Sequence, residues 1–170
     1  MRIDLRDYGL EPDSGRSAGP IIARALQDVR GSEGATLVFA PGAYDFYLED
    51  AASRPLYISN TAGEEDLPGA LRHIGVDLRG LAGLTIEGQG ACWRFHGPMT
   101  YVAAQGCRDL TLRGLTVDMV RPTMSEMTVE AVDDGGMICR VHPDSAYEID
   151  GDKLVFVGEG WRFDGVGPRA

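Results

Sequence analysis

Leu84-Thr85-Ile86-Glu87-Gly88-Gln89-Gly90 decides the fold. Leu84 and Ile86 are apolar and alternate with Thr85 and Glu87, the period of two expected of a half-buried strand. Gly88 and Gly90 then allow a sharp turn where a side chain would clash. The pattern returns as Leu110-Thr111-Leu112-Arg113-Gly114, with Leu110 following Leu84 by 26 positions. Gly80 falls on Gly106 in the same register. A repeat in the twenties predicts stacked coils, because one coil cannot bury its apolar face alone. Glu87 and Arg113 then share a coil position, where a surface ion pair of little stabilising effect is expected.

Working outward, Val76-Asp77-Leu78, Cys92-Trp93-Arg94-Phe95-His96, Tyr101–Ala104, Leu110–Leu112 and Leu115–Asp118 read as short coil strands separated by turns. Stacking would give each backbone amide and carbonyl a partner in the next coil. Towards the N-terminus, Ile3–Tyr8 reads as an extended entry, and Gly9–Gly19 as a loop. Ser17 can cap a helix with Pro20 in its first turn, and Ile21, Ile22, Ala25, Leu26 and Val29 share one face of it. Such a helix suits the open end of a stack of strands. Thr36–Phe39 and Ala43–Tyr47 are strands. Residues 48–70 are an acidic surface loop, with a short strand at Tyr57-Ile58-Ser59-Asn60.

After Arg121-Pro122 the pattern changes. Met127–Val132 and Met137–Val141 flank Asp133-Asp134-Gly135-Gly136, a hairpin signature, and Leu154–Val157 follows a second turn. The expected organisation is residues 1–122 for the cap and first coils, then residues 123–170 for an incomplete antiparallel insertion. An open sheet edge at the end of the chain suggests a fragment of something longer.

Composition narrows function only broadly. A chain of 170 residues with 44% hydrophobic and 25% charged residues is an ordinary globular domain with a core. Its net charge of −10 opposes a phosphate backbone, so no nucleic-acid partner is expected. No apolar run approaches a membrane span, and Met1–Leu5 lacks the apolar stretch of a signal peptide. Cys92, Cys107 and Cys139 form neither a zinc spacing nor a disulfide framework, and read as small buried hydrophobes. No metal and no cofactor is expected.

The run Asp7-Tyr8-Gly9, Pro12-Asp13-Ser14-Gly15, the helix and Leu37–Phe46 resembles the N-terminal cap of pectate-lyase-like β-helix proteins. A narrower set resembles the opening of glycoside hydrolase family 110. It comprises Tyr57–Asn60, Leu84–Gly90, Phe95–Met99, Leu115–Asp118 with Arg121-Pro122, and Gly158-Glu159-Gly160-Trp161. That resemblance implies an all-β fold: a right-handed parallel β-helix with an N-terminal capping helix, followed by the start of an antiparallel β-barrel or hairpin insertion. It implies an exo-acting α-1,3-galactosidase that inverts configuration, a galactose-terminated glycan as partner, and scope for a homodimer of the full-length parent. Family members are often secreted or periplasmic. They are several times longer, and the resemblance places their catalytic aspartates on later coils. The alternatives from other classes are a glycan-binding tailspike or adhesin segment, and a polysaccharide lyase.

Inverting glycosidases need two carboxyls about 6.5–9.5 Å apart. Asp118, which ends a strand and precedes Arg121, is a groove candidate, as is Glu126. The bland reading of Asp118 is a turn aspartate paired with Arg121. Arg121 and Trp161 are the substrate-binding candidates, since an indole can stack a sugar ring. Trp93 reads as core and His96 as structural.

Overall fold

The computed structural model describes residues 1–32, 34–57 and 71–163. The strand expected at Tyr57–Asn60, the acidic run Glu64–Asp66 and residues 164–170 fall wholly or largely outside that range. The chain divides into two compact units, Met1–Val120 and Arg121–Ala170.

The first unit opens with β1 (Arg2–Asp4) and a 3-10 turn at Leu5–Tyr8. The extended entry expected through Tyr8 therefore stops at Asp4. The Asp4 carboxylate accepts from the Arg6 amide, and Gly9 closes the turn at φ +81°. Helix α1 (Gly19–Asp28) follows. Ser17 does not cap it: Ala18 is the N-cap and no side chain bonds there. Ser17 forms a parallel bridge to Asp45, which aligns its backbone with a strand rather than with the helix. Ile22, Ala25, Leu26 and Val29 are buried, and α1 packs on β5 (Leu71–Arg79).

Between them run β2 (Thr36–Val38), β3 (Gly42–Tyr47) and β4 (Ala52–Pro55), the last antiparallel to β5. The two strands expected at Leu84–Glu87 and Cys92–His96 form one bent strand, β6 (Thr85–His96). Strands β7 (Thr100–Gln105) and β8 (Thr111–Met119) complete the unit. The fold of this unit is mostly β. Its first sheet is parallel throughout, with order β1-β2-β6-β3 and β8 beside β6; the second has order β4-β5-β7.

The repeat is physical. Ile74 pairs with Thr100 and Ile86 with Leu112, each 26 positions on. Past the corner the offset drops to 24, with Ala91 opposite Leu115. Gly88-Gln89-Gly90 turns the first coil, and Gly114 alone turns the second, so the second coil is two residues shorter there. Inside, Trp93, Phe95, Tyr44, Phe46 and Phe39 are buried; Phe46 stacks on Phe95 at 4.6 Å, and Phe95 on Tyr101 at 4.5 Å. Fully burying each such ring stabilises by about 2–3 kcal/mol. Trp93 is core, as its alternation predicts. The three cysteines are free and half-buried rather than sequestered.

The second unit holds two antiparallel ladders: β9 (Met127–Asp133) with β10 (Gly136–Val141), and β11 (Tyr147–Asp150) with β12 (Lys153–Gly158) and β13 (Trp161–Phe163). Gly136, at φ +147°, closes the expected hairpin.

Candidate functional site

The outer face of the bent parallel sheet gathers the polar groups of the first unit. Strands β3, β6 and β8 alternate, so Tyr44, Trp93 and Phe46, Phe95 point inward while their neighbours point out. In register, Asp45 lies opposite Arg94, and Arg94 opposite Asp118. A row of acid, base and acid thus crosses three adjacent strands. Arg94 Nη2 donates to Asp45 Oδ2 at 2.7 Å, and His96 Nε2 lies 2.9 Å from Asp45 Oδ1. The His96 ring stacks on Tyr47 at 4.4 Å. Burial alone pushes the Asp45 carboxyl up; the hydrogen bonds from Arg94 and His96 outweigh it and hold the group below the ordinary carboxylate value.

Asp118 closes the row and is exposed, its Oδ1 accepting from the Met119 amide at 2.8 Å. The other three sequence candidates lie in the second unit. Arg121 gives its donors to its own unit: to the carbonyls of Val157 at 3.2 Å, Pro122 at 3.2 Å and Ala146 at 3.3 Å, and to Ser125 Oγ at 3.4 Å. Its guanidinium also stands 5.1 Å from the centre of the Trp161 ring. The indole lies so close to Gly158 that a Cβ there would meet it at 2.3 Å. Glu126 is exposed; its amide donates to Ser145 Oγ, and its carbonyl accepts from the His142 amide. Arg121 and Trp161 together thus have the geometry of a packing staple, and a sugar ring stacking on Trp161 would have to share it with Arg121.

Sequence reading missed the Asp45–Arg94 pair. The signal was available: both residues occupy outward positions of aromatic-alternating strands. Only the register between β3 and β6, however, reveals that they meet. His96 is tied into the same cluster, in keeping with a structural role. Among the described residues, no group of three or more His, Cys, Asp or Glu side chains could hold a metal ion. No described helix is long and apolar enough to cross a membrane.

No family model matches the chain. Curated proteins do match it. The chain is 34% identical over 158 residues to α-1,3-galactosidase A of Bacteroides fragilis, covering 93% of this chain and 26% of that protein. It is 32% identical over 171 aligned positions to α-1,3-galactosidase B of Phocaeicola vulgatus, covering 94% and 26%. A third relative, α-1,3-galactosidase A of Streptomyces avermitilis, is 30% identical over 162 residues, with 92% and 26% covered. The chain is homologous to the α-1,3-galactosidases.

The resemblance to glycoside hydrolase family 110 drawn from the motifs is borne out by these relatives. The chain spans about a quarter of the length of the curated α-1,3-galactosidases it matches. Cleaving a glycoside with a carboxyl acid requires a group that keeps its proton near neutral pH, through burial or a nearby like charge. Asp45 is a buried carboxyl, yet its two partners, Arg94 and His96, stabilise the charged form. Both partners therefore favour the ionised carboxylate at Asp45.

Proposed function

We propose that the chain is the N-terminal portion of a family-110 glycoside hydrolase, an exo-acting enzyme that removes terminal α-1,3-linked galactose with inversion. The observation that carries this reading is alignment over more than nine-tenths of the chain with proteins named α-1,3-galactosidase. The parallel coils are the first turns of a right-handed β-helix, α1 is its cap, and residues 123–170 begin an inserted antiparallel β-barrel. The substrate is a galactose-terminated glycan, and the full-length parent has scope to form a homodimer.

The catalytic carboxyl pair belongs to the remaining three quarters of such an enzyme. Asp118, at the exposed end of the Asp45–Arg94 row, is the first groove candidate of this chain. Glu126 is the second groove candidate, and Arg121 and Trp161 are the candidate sugar-binding residues.

Inversion at an α-galactoside delivers β-galactose first, because water attacks the face opposite the leaving group. Proton NMR of the anomeric signals during hydrolysis of an α-1,3-galactobioside tests this. A polypeptide extended to the length of the relatives is expected to release β-galactose, and the 170-residue chain to release none. Release of α-galactose first would sink the inverting assignment. In a parallel assay on a uronic-acid polysaccharide, an unsaturated product absorbing in the ultraviolet would identify a lyase.

A further inference from the structure

A cleft of about 470 Å³ opens on the first unit where β1, the 3-10 turn after it, the β2–β3 connection and the Gly88–Gly90 corner converge. Its polar walls are Arg2, Asp4, Arg6, Asp7 and Gln89. It is open to solvent and its polar walls are mostly exposed side chains, so a ligand there would be held by hydrogen bonds rather than by enclosure.

Gln89 is the unusual member. Among the described residues, three non-glycine residues have positive φ: Asp13 at 54°, Gln89 at 50° and Asp109 at 53°. Aspartate tolerates the left-handed region through local hydrogen bonds of its short side chain; glutamine has no such compensation. Gln89 also sits between two glycines, at a corner where a third glycine would turn the chain with less strain. Backbone strain of this kind clusters at ligand-binding and other functional positions.

The chemistry of the walls selects the ligand. Arg6 clamps Asp4 through Nε at 3.0 Å and Nη2 at 2.6 Å, and that hydrogen bonding draws Asp4 down to about 2. Among the described residues, the Arg2 guanidinium and the Gln89 carboxamide make no hydrogen bond or salt bridge. The cleft thus offers free donors at Arg2, a free donor–acceptor amide at Gln89, and acceptors at Asp4 and Asp7. Two arginines and two aspartates leave its lining neutral. Adjacent hydroxyls, each both donor and acceptor, match such a mixed lining; a net anion or cation does not.

We propose that this corner is a binding cleft for a neutral polyhydroxylated ligand of the hexopyranose class, held by Gln89 and Arg2. The proposal goes beyond the hydrolase reading and does not rest on it.

The test titrates the 170-residue chain with methyl α-D-galactopyranoside and methyl α-D-glucopyranoside, followed by two-dimensional amide NMR, with galacturonate as the charged comparison. Saturable binding, on the order of millimolar Kd, is expected for at least one neutral glycoside, with the Gln89 side-chain amide signals moving. Gln89→Gly is expected to weaken binding about tenfold while raising Tm, because it relieves the backbone as it removes the amide. Arg2→Ala, at an exposed position, is expected to weaken binding at least about threefold at unchanged Tm. The proposal is overturned if neither neutral glycoside binds, if Gln89→Gly binds like the parent chain, if the Gln89 amide signals stay fixed, or if galacturonate binds about tenfold more tightly.

Discussion

The Arg113 guanidinium donates through Nε to Glu87 Oε2 at 2.6 Å, joining two residues one coil apart. The pair sits on neighbouring parallel strands, directly in register. Arg113 keeps 66% of its side chain exposed, so water and salt screen most of the attraction. Glu87→Gln is expected to cost less than about 1 kcal/mol in urea denaturation, and the difference should shrink in molar salt. A loss well above that would mean the coils depend on this pair for their register.

At Gly88 the next coil packs directly against the backbone. A Cβ there would lie 2.5 Å from Leu115 Cβ and 2.6 Å from the Gly114 carbonyl oxygen. Backbone of the next coil cannot move aside cheaply, so Gly88→Ala is expected to destabilise by about 2–3 kcal/mol. Gly90 offers the contrast: it has open space around it but φ +89°. Gly90→Ala pays only for conformation, about 1–2 kcal/mol. Denaturant midpoints of the two variants, measured side by side, check the ranking.

Asp45 contributes to the acid limb of stability. Its folded carboxyl lies below the ordinary 3.8, first burdened by burial and then more than compensated by Arg94 and His96. A depressed carboxylate contributes stability that is complete above the unfolded value and is lost as pH falls through the folded one. Asp45→Asn should therefore flatten the stability profile below about pH 4. At neutral pH it should cost about 1–3 kcal/mol, because Arg94 and His96 lose a charged acceptor. Chemical denaturation from pH 2 to 7 reads both effects. Parallel profiles for the two proteins would remove Asp45 from this role.

Arg121 holds the second unit through three carbonyls, a hydroxyl and the Trp161 ring. Lysine can replace the charge but not the planar fork or the stacking. Arg121→Lys is expected to cost about 1–2 kcal/mol and to alter Trp161 emission, while Trp93, fully enclosed in the first unit, stays unchanged. Single-tryptophan variants separate the two signals.

Much of the first unit was legible in the chain. Leu84, Ile86, Leu110 and Leu112 alternate at a fixed offset, and Ile86 pairs with Leu112. The face of α1 was readable because Ile22, Ala25, Leu26 and Val29 follow the helical period. Ser17 misled because a capping residue is judged from local chemistry, whereas the bridge to Asp45 involves a strand 28 positions away. The 3-10 turn at Leu5–Tyr8 escaped for a related reason. Short alternations look like strand until an aspartate such as Asp4 accepts from the amide two residues on, here that of Arg6.

By itself the sequence determined the period of the coils, the apolar faces that stack, the hairpin at Asp133–Gly136 and the kinship with α-1,3-galactosidases, because each depends on residues close together or on motifs in order. Only the tertiary structure decided that Asp45, Arg94 and Asp118 form one row, that Arg121 is tied to the carbonyls of its own unit, and that Gly88-Gln89-Gly90 is a corner as well as a turn. Those relations join strands dozens of positions apart. Their register is set by side chains packing across the whole stack, which no local pattern encodes.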